Sequence, residues 1–291
     1  MCATQAERCP VCWAARLQRA FRLSRGPVDA CPCCGVHIAR DESAHPKQDR
    51  GFHKTLDEPA YKEYFEPFRK RQYHLALSRL DRPTGSTLLD VGASFGWMLE
   101  TGSELGWDCW GLEPSPMDYN EPLAGRIFER TLEEHAAQSD VRYDIVVLWH
   151  VLEHFRDPFG AVEQTADLLA DGGVALIAVP NASGRMFRLG SFLAKRLRMN
   201  RLMEELWYTH NPNMHRYYPT LQAVALLLGP RHLQIVDSYL LDAFDWRRIW
   251  RRSTSSVGRP ALRVLGPALA RSRLTRNENL IVVAQKRPSR R

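Results

Sequence analysis

Apolar residues along this chain fall into short unbroken runs that alternate with longer stretches of helical period. That is the pattern of a mainly parallel sheet buried between helices. Thr87–Val91 (TLLDV) is one such run; it ends in Gly92 and passes through Ala93, Ser94 and Gly96 into a helical stretch over 97–105. Further strands are predicted over Asp108–Leu112 and Tyr143–Trp149. A helix then runs to Leu169, a turn follows at Asp171-Gly172-Gly173, and a strand over 174–179 stops at Pro180-Asn181. Upstream, residues 61–80 place Phe65, Phe68, Tyr73, Leu77 and Leu80 at helical intervals, and the polar stretch 43–57 reads as a linker. Two last strands are predicted over 232–241 and 278–285. The 242–277 segment between them is far longer than a hairpin needs and reads as an insertion.

A buried strand that runs into a glycine turn and then a helix is the opening of a nucleotide-binding α/β sheet. Glycine lets the backbone approach a ligand, and the helix N-terminus presents free N–H groups. Neither G-x-G-x-x-G nor a Walker lysine is present. The chain has 291 residues, 44% hydrophobic and 25% charged, which suits one large domain or one with a small satellite. This composition excludes a disordered, collagen-like or disulfide-scaffold chain. The longest apolar runs, 145–149 and 174–180, fall far below the roughly 18 residues of a membrane span. With no signal-peptide pattern at the start, the expectation is a cytoplasmic protein with reduced thiols, peripheral at most to the inner membrane surface.

Six of the seven cysteines lie within the first 34 residues. Cys9-Pro-Val-Cys12 and Cys31-Pro-Cys33-Cys34-Gly35 form two C-x2-C pairs. Four thiolates so spaced can surround one structural Zn²⁺ tetrahedrally, and the metal supplies folding energy that so short a segment cannot draw from a core. Cys33 competes with Cys34, but the two-residue spacing and the following glycine favour Cys34. Cys9, Cys12, Cys31 and Cys34 are therefore the expected ligands of a zinc ribbon over residues 1–42, leaving Cys2 and Cys109 as free thiols. Four cysteines leave no open position for catalysis by this zinc.

The quoted motifs LLDVGASFG, GLEPS, YDIVVLWHVLEHFRDP, LLADGGVALIAVPN and HNPNMHRYYPTLQAV, in this order, carry a resemblance to a known family. Over residues 58–291 the chain resembles the class I S-adenosylmethionine-dependent methyltransferases, notably the branch with ubiquinone-type and sugar O-methyltransferases. The resemblance implies a Rossmann-like, mostly parallel sheet whose last two strands form an antiparallel pair at the edge. It implies S-adenosylmethionine as cofactor, with Asp90, Gly92, Ala93, Ser94 and Gly96 around the methionine portion. Glu113 would accept the ribose hydroxyls with Pro114 beside it; Thr131, Leu132 and Glu133 would border adenine; Trp149 and His150 would lie beside the methyl group. Ser94 stands where glycine is frequent, a departure that a negative φ would make tolerable.

Methyl transfer from a sulfonium needs alignment and a proton acceptor. Histidine has an ordinary pKa near 6.5 and suits the second task; the candidates are His150, His154, His210 and His215. His150, Glu153 and His154 share one face if their segment is helical. Members of the family that use a divalent metal carry Glu-x-x-Glu-His here; His150 replaces the first Glu, so the alternative is a loop braced by hydrogen bonds.

Charge changes the picture of the second half. Residues 1–180 hold 19 basic and 27 acidic side chains, whereas residues 181–291 hold 21 and 6. Two segments carry the excess: 186–206, with Leu189, Leu193 and Leu197 among Arg188, Lys195, Arg196, Arg198 and Arg201, and 246–252 (WRRIWRR). Such Leu and Trp faces either pack on the domain with the arginines in solvent, or suit an anionic membrane surface or a lipid-linked substrate, and nucleic acid less well because stacking aromatics are few. The leading expectation is a methyltransferase acting on a hydroxyl of a small molecule or glycan. The alternatives are an RNA or protein methyltransferase guided by the ribbon and the basic patch, and a non-catalytic scaffold of the same fold.

Overall fold

A computed structural model of the chain describes residues 8–40, 59–115, 123, 125–209, 214–245, 247–248, 258–271 and 278–287. His210, most of the 246–252 motif and the 43–57 stretch lie outside the described residues. The chain opens with an antiparallel meander of β1 (Gln18–Leu23), β2 (Gly26–Ala30) and β3 (His37–Ala39). Helix α1 (Pro59–Ser78) leads to β4 (Thr87–Val91), α2 (Trp97–Glu104), β5 (Asp108–Leu112) and β6 (Ile127–Phe128). Next come α3 (Leu132–Gln138), β7 (Tyr143–Trp149), α4 (Pro158–Leu168) and β8 (Leu169–Pro180). The rest comprises α5 (Arg185–Leu197), α6 (Arg201–Leu206), β9 (Tyr217–Tyr218), α7 (Leu221–Leu228), β10 (Leu233–Leu241), α8 (Gly258–Arg271) and β11 (Asn279–Lys286).

The large sheet has the order β10-β11-β8-β7-β4-β5-β6. Only β11 runs against its neighbours; the pairs β4–β5, β4–β7, β5–β6 and β7–β8 are parallel. The fold is therefore α/β and Rossmann-like, mostly parallel, with the antiparallel edge pair that the family resemblance implies. Helices cover both faces, so Leu88, Leu89 and Ile145 through Leu148 are fully buried and their strands read as unbroken apolar runs. Between Tyr143 and Ile145 the register of β7 against β8 slips from Leu169 to Val174. The Asp171-Gly172-Gly173 turn is thus a bulge inside β8 rather than its boundary.

Local sequence explains the helix starts. Thr131 caps α3 by a reciprocal box with Glu134, and the Asp157 carboxylate accepts the N–H groups of Phe159 and Gly160 at the head of α4. Thr220 caps α7 by accepting from the Ala223 N–H at 3.2 Å, while its hydroxyl donates to the Cys34 carbonyl at 2.6 Å.

That last bond belongs to a joint which local sequence does not predict. β9 adds to β3 as the fourth strand of the small sheet, pairing Tyr217 with Ile38 and Tyr218 with His37. Tyr218 stacks on Phe187 of α5 at 4.4 Å between ring centroids, and Phe187 meets the His37 ring edge-on at 4.9 Å. The cysteine-rich segment is therefore built into the same body as the second half of the chain.

Candidate active site and cysteine cluster

The C-terminal tips of β4, β5 and β7 converge, as ligand sites do in open parallel sheets. After β4 the backbone doubles back over β5: the N–H groups of Gly92 and Ala93 donate to the Leu112 carbonyl at 2.7 and 2.9 Å. Gly92 has φ +75°, and a Cβ there would stand 2.8 Å from a Val151 methyl, so both the turn and the close approach require glycine. Gly96, at φ +77°, is the residue from which α2 starts.

Ser94 does not meet that condition. Its φ is +48°, in the left-handed region, not the negative value that would make a side chain harmless there. The reason is visible one strand over. The Ser94 N–H donates to Glu113 Oε2 at 3.1 Å, while Glu113 Oε1 accepts the Ser115 N–H at 3.1 Å. One buried carboxylate so ties the loop after β4 to the loop after β5, and Pro114 lies inside that clasp. Asp90, at the tip of β4, is also buried; burial pushes its carboxyl well above the usual range, and the negative charge of Glu113 adds to the rise.

On the β6 side, Thr131 spends its hydroxyl on the Glu134 capping box, Leu132 is buried and Glu133 is exposed. On the β7 side, Trp149 is buried against the edge of Tyr73 at 5.0 Å. Its indole N–H has no hydrogen-bond partner among the described residues.

His150, Glu153 and His154 meet, though not on the face of an α-helix. His150 has φ +55°, and a single 3-10 turn over Leu152–His154 swings Glu153 back so that His150 Nδ1 donates to Glu153 Oε1 at 3.0 Å. His215 arrives from the segment before β9, with its ring 4.9 Å from that of His154 and its Nε2 4.0 Å from Glu153 Oε1. The donor atoms of Glu153, His154 and His215 all lie within 4.8 Å of one another. Burial raises the Glu153 carboxyl, but the hydrogen bond from His150 and the neighbouring imidazoles outweigh it and hold the pKa at about 2. Burial lowers His150, and it lowers His215 to about 3, with the His154 charge adding to the effect. His150 Nε2, Glu153 Oε2 and His215 Nδ1 are buried and have no partner among the described residues. Such atoms are costly to leave bare, so the cluster keeps hydrogen-bonding capacity for a further polar group.

The fourth edge of the site comes from residues that sequence reasoning overlooked. The backbone of Arg216 donates its N–H to the Glu153 carbonyl at 2.8 Å and accepts from the Ala39 N–H at 2.9 Å. Glu278, buried just before β11, accepts the Met186 N–H at 3.0 Å and caps the start of α5. No local signal marks either role, because each partner lies far away in sequence.

In the cysteine cluster, Cys9 Sγ and Cys34 Sγ are 3.7 Å apart and Cys12 Sγ and Cys31 Sγ 3.5 Å apart, with all four within 4.8 Å of one another. A Zn–S bond of about 2.3 Å gives tetrahedral edges of about 3.8 Å, so the four sulfurs fit one zinc. The N–H groups of Cys33 and Cys34 donate to Cys31 Sγ at 3.4 Å, as a ligand thiolate requires. Cys33 is exposed and takes no part among these four. Cys109 lies buried under α2 as a free thiol.

The methyltransferase domain family matches residues 64–238. Ubiquinone biosynthesis O-methyltransferase of Salmonella enteritidis PT4 is 32% identical over 109 residues; the match takes in 35% of this chain and 45% of that protein, so less than half of the relative's length is spanned. Among solved structures, the cyclopropane synthase MmaA2 of Mycobacterium tuberculosis superposes with TM-score 0.54 at 17% identity, over 74% of this chain and 83% of that one. A methyltransferase in complex with the Haloferax volcanii Trm112 methyltransferase activator gives TM-score 0.53 at 16% identity, over 83% of this chain and all of that one. The mycolic acid cyclopropane synthase CmaA1, solved with SAH and CTAB, gives TM-score 0.54 at 16% identity, over 82% of this chain and 94% of that one. At such identities the structures speak to fold alone. The family match covers well over half of the chain, and the sheet order and the glycine turn after β4 agree with it: this protein belongs to the methyltransferase domain family, as a class I S-adenosylmethionine-dependent methyltransferase.

Proposed function

We propose that the protein transfers the methyl group of S-adenosylmethionine to a hydroxyl of a small molecule or glycan, and that its four-cysteine cluster holds a structural zinc. The observation that carries the acceptor half is the His150–Glu153 pair. An ionised Glu153 accepts from His150 Nδ1–H, which leaves Nε2 as the basic nitrogen, buried and without a partner. An imidazole oriented by a carboxylate and kept neutral by burial is suited to taking the proton of an acceptor hydroxyl. Oxygen as the methylated atom is favoured by the ubiquinone O-methyltransferase likeness.

The cofactor half assigns Asp90, Gly92, Ala93, Ser94 and Gly96 to the methionine portion, Glu113 and Pro114 to the ribose, and Thr131 and Leu132 to the adenine border. Trp149 and His150 lie by the methyl group. S-adenosylmethionine supplies the electrophilic methyl and a thioether leaving group. The protein's tasks are then alignment and proton removal.

A second reading rests on the same cluster. Glu153, His154 and His215 present a carboxylate and two imidazoles with donor atoms close enough to hold a divalent cation, which would polarise an acceptor hydroxyl. The two readings part on one experiment, methyl transfer by a purified protein whose zinc content has been measured. A His150→Gln variant should keep S-adenosylmethionine affinity and lose about 10²–10⁴-fold in turnover if His150 is the base. Turnover unchanged in His150→Gln but abolished by metal removal, with the ribbon still loaded, would favour the cation.

A further inference from the structure

The residues assigned to the cofactor, and the His150–Glu153 pair, all lie before the basic second half of the chain. From Arg185 to Arg201 there are six basic and no acidic side chains. Most of this stretch is α5, whose inner face (Phe187, Gly190, Ser191, Ala194) is buried. Gly190 is part of the reason: a Cβ there would stand 2.5 Å from Met203 Sδ, so α5 presses closely on α6. The outer face leaves Leu189, Phe192 and Leu197 in water, followed by Met199 at 56% exposure.

Between this helix and β3 lies a cleft of about 370 Å³. Arg188, Lys195 and Arg196 stand on its α5 side, Phe192 is at its rim, and Ser191 and His37 line it from within. None of the three cations forms an ion pair with a described residue, although they lie within two turns of one helix. Nearby carboxylates are already engaged: Asp29 with Arg19 and Arg40, and Glu204 with Ser24 and Thr209. His37 Nδ1 donates to the Gly35 carbonyl at 3.1 Å, which leaves Nε2 as an acceptor. Three uncompensated cations exceed what one carboxylate needs and match the multiple oxygens of a phosphoryl group. The apolar side chains on the outer face would meet a hydrocarbon tail.

The cleft also lies on the acceptor side of the molecule. It abuts Ala182, two residues past the end of β8. Of its lining residues, His37 meets Phe187, and Phe187 stacks on Tyr218, whose ring lies 5.8 Å from that of His215. The stacked rings of Phe187 and Tyr218 therefore connect the cleft lining to the histidine cluster.

We infer that the cleft between α5 and the cysteine-rich sheet binds the phosphoryl headgroup of an amphiphile, with Arg188, Lys195 and Arg196 on the phosphate and Leu189 and Phe192 against its apolar part. The site deepens the proposed function by giving the acceptor, or the surface that carries it, a phosphate. It is tested without any methyl transfer, so its failure and that of the proposed function are distinguishable.

The test uses the full chain without S-adenosylmethionine, as wild type and as the Arg188→Gln/Lys195→Gln/Arg196→Gln variant. A control variant, Arg82→Gln/Arg142→Gln, removes charge elsewhere on the surface. One arm measures co-sedimentation with vesicles of phosphatidylcholine mixed with phosphatidylglycerol; the other titrates inorganic phosphate and a soluble phosphomonoester by calorimetry. Losing three charge-assisted contacts should weaken binding by at least about tenfold, and the control should not. Phe192→Ser should weaken the vesicle arm alone. Vesicle binding lost in the triple variant assigns the phosphate to a lipid headgroup; soluble phosphate binding lost there, without vesicle binding, assigns it to a free phosphorylated ligand. Binding in neither arm, or a triple variant no weaker than the control, overturns the inference. All three replaced side chains are exposed, so the variants should fold, and an unchanged unfolding temperature checks this.

Discussion

Replacing Gly92 by alanine probes the turn on which the cofactor half depends. At φ +75° an L-residue costs about 1–2 kcal/mol over glycine. Alanine recovers about 0.4–1 kcal/mol of this by restricting the unfolded chain. The larger part is steric. The new Cβ would sit 2.8 Å from a Val151 methyl that belongs to a stiff, β-branched, half-buried side chain, and relieving such overpacking costs about 1–3 kcal/mol. The net loss should be about 2–3 kcal/mol, which for a chain of this size lowers the midpoint of thermal unfolding by about 3–5 °C. A double-mutant cycle with Val151→Ala separates the parts: removing the methyls should return the steric share, about 1–3 kcal/mol, and leave the backbone share. Urea unfolding of the four proteins gives the four free energies. A Gly92→Ala cost below about 0.5 kcal/mol would refute the left-handed turn. A cycle with no coupling would refute the Val151 contact.

Other perturbations act on the neighbouring groups. The Asp90 carboxyl is raised by burial and by Glu113, so it favours the folded state when protonated, and that contribution is lost as pH rises above the ordinary carboxylate value near 4. Asp90→Asn should therefore be the more stable protein near neutral pH, with the difference shrinking on acidification; equal stability at all pH values by urea titration would contradict this. Zinc analysis should return one ion per chain, lost in Cys9→Ser/Cys31→Ser. Chelation should expose the amides of β1–β3 and of the paired β9 to hydrogen exchange together; β9 protection unchanged by chelation would count against the joint. Thr220→Val removes both the cap of α7 and the bond to Cys34, and should cost about 1–2 kcal/mol by thermal unfolding.

The central sheet was legible because its signals are local. β5 and β7 span the same residues as their predicted strands, since an apolar run closed by polar residues marks both ends. The glycine turn after β4 was legible for the same reason. Ser94 was not: its positive φ goes with a bond to Glu113, nineteen residues on, and no serine announces such a partner. The spacing of His150, Glu153 and His154 brings them together on one face only if their segment is helical, and it is not an α-helix. A positive φ at His150 and a 3-10 turn achieve the same meeting by a route that i, i+3 spacing cannot distinguish. The joint between cysteine-rich segment and catalytic body was hidden because β9 is two residues long, too short to show a period, and pairs with a strand about 180 residues earlier. Glu278 escaped for a like reason, since it caps a helix that begins 93 residues before it in the chain.

The claim that most depends on this geometry is that the β4 and β5 loops, clasped by Glu113, form the S-adenosylmethionine site. Isothermal titration of the folded protein with S-adenosylmethionine tests it directly, beside Glu113→Ala with its fold checked by circular dichroism. One binding site is expected in the wild type, weakened about a hundredfold in Glu113→Ala through two lost charge-assisted hydrogen bonds. Folded wild type that takes up no S-adenosylmethionine, or a variant that binds it equally well, would contradict the account.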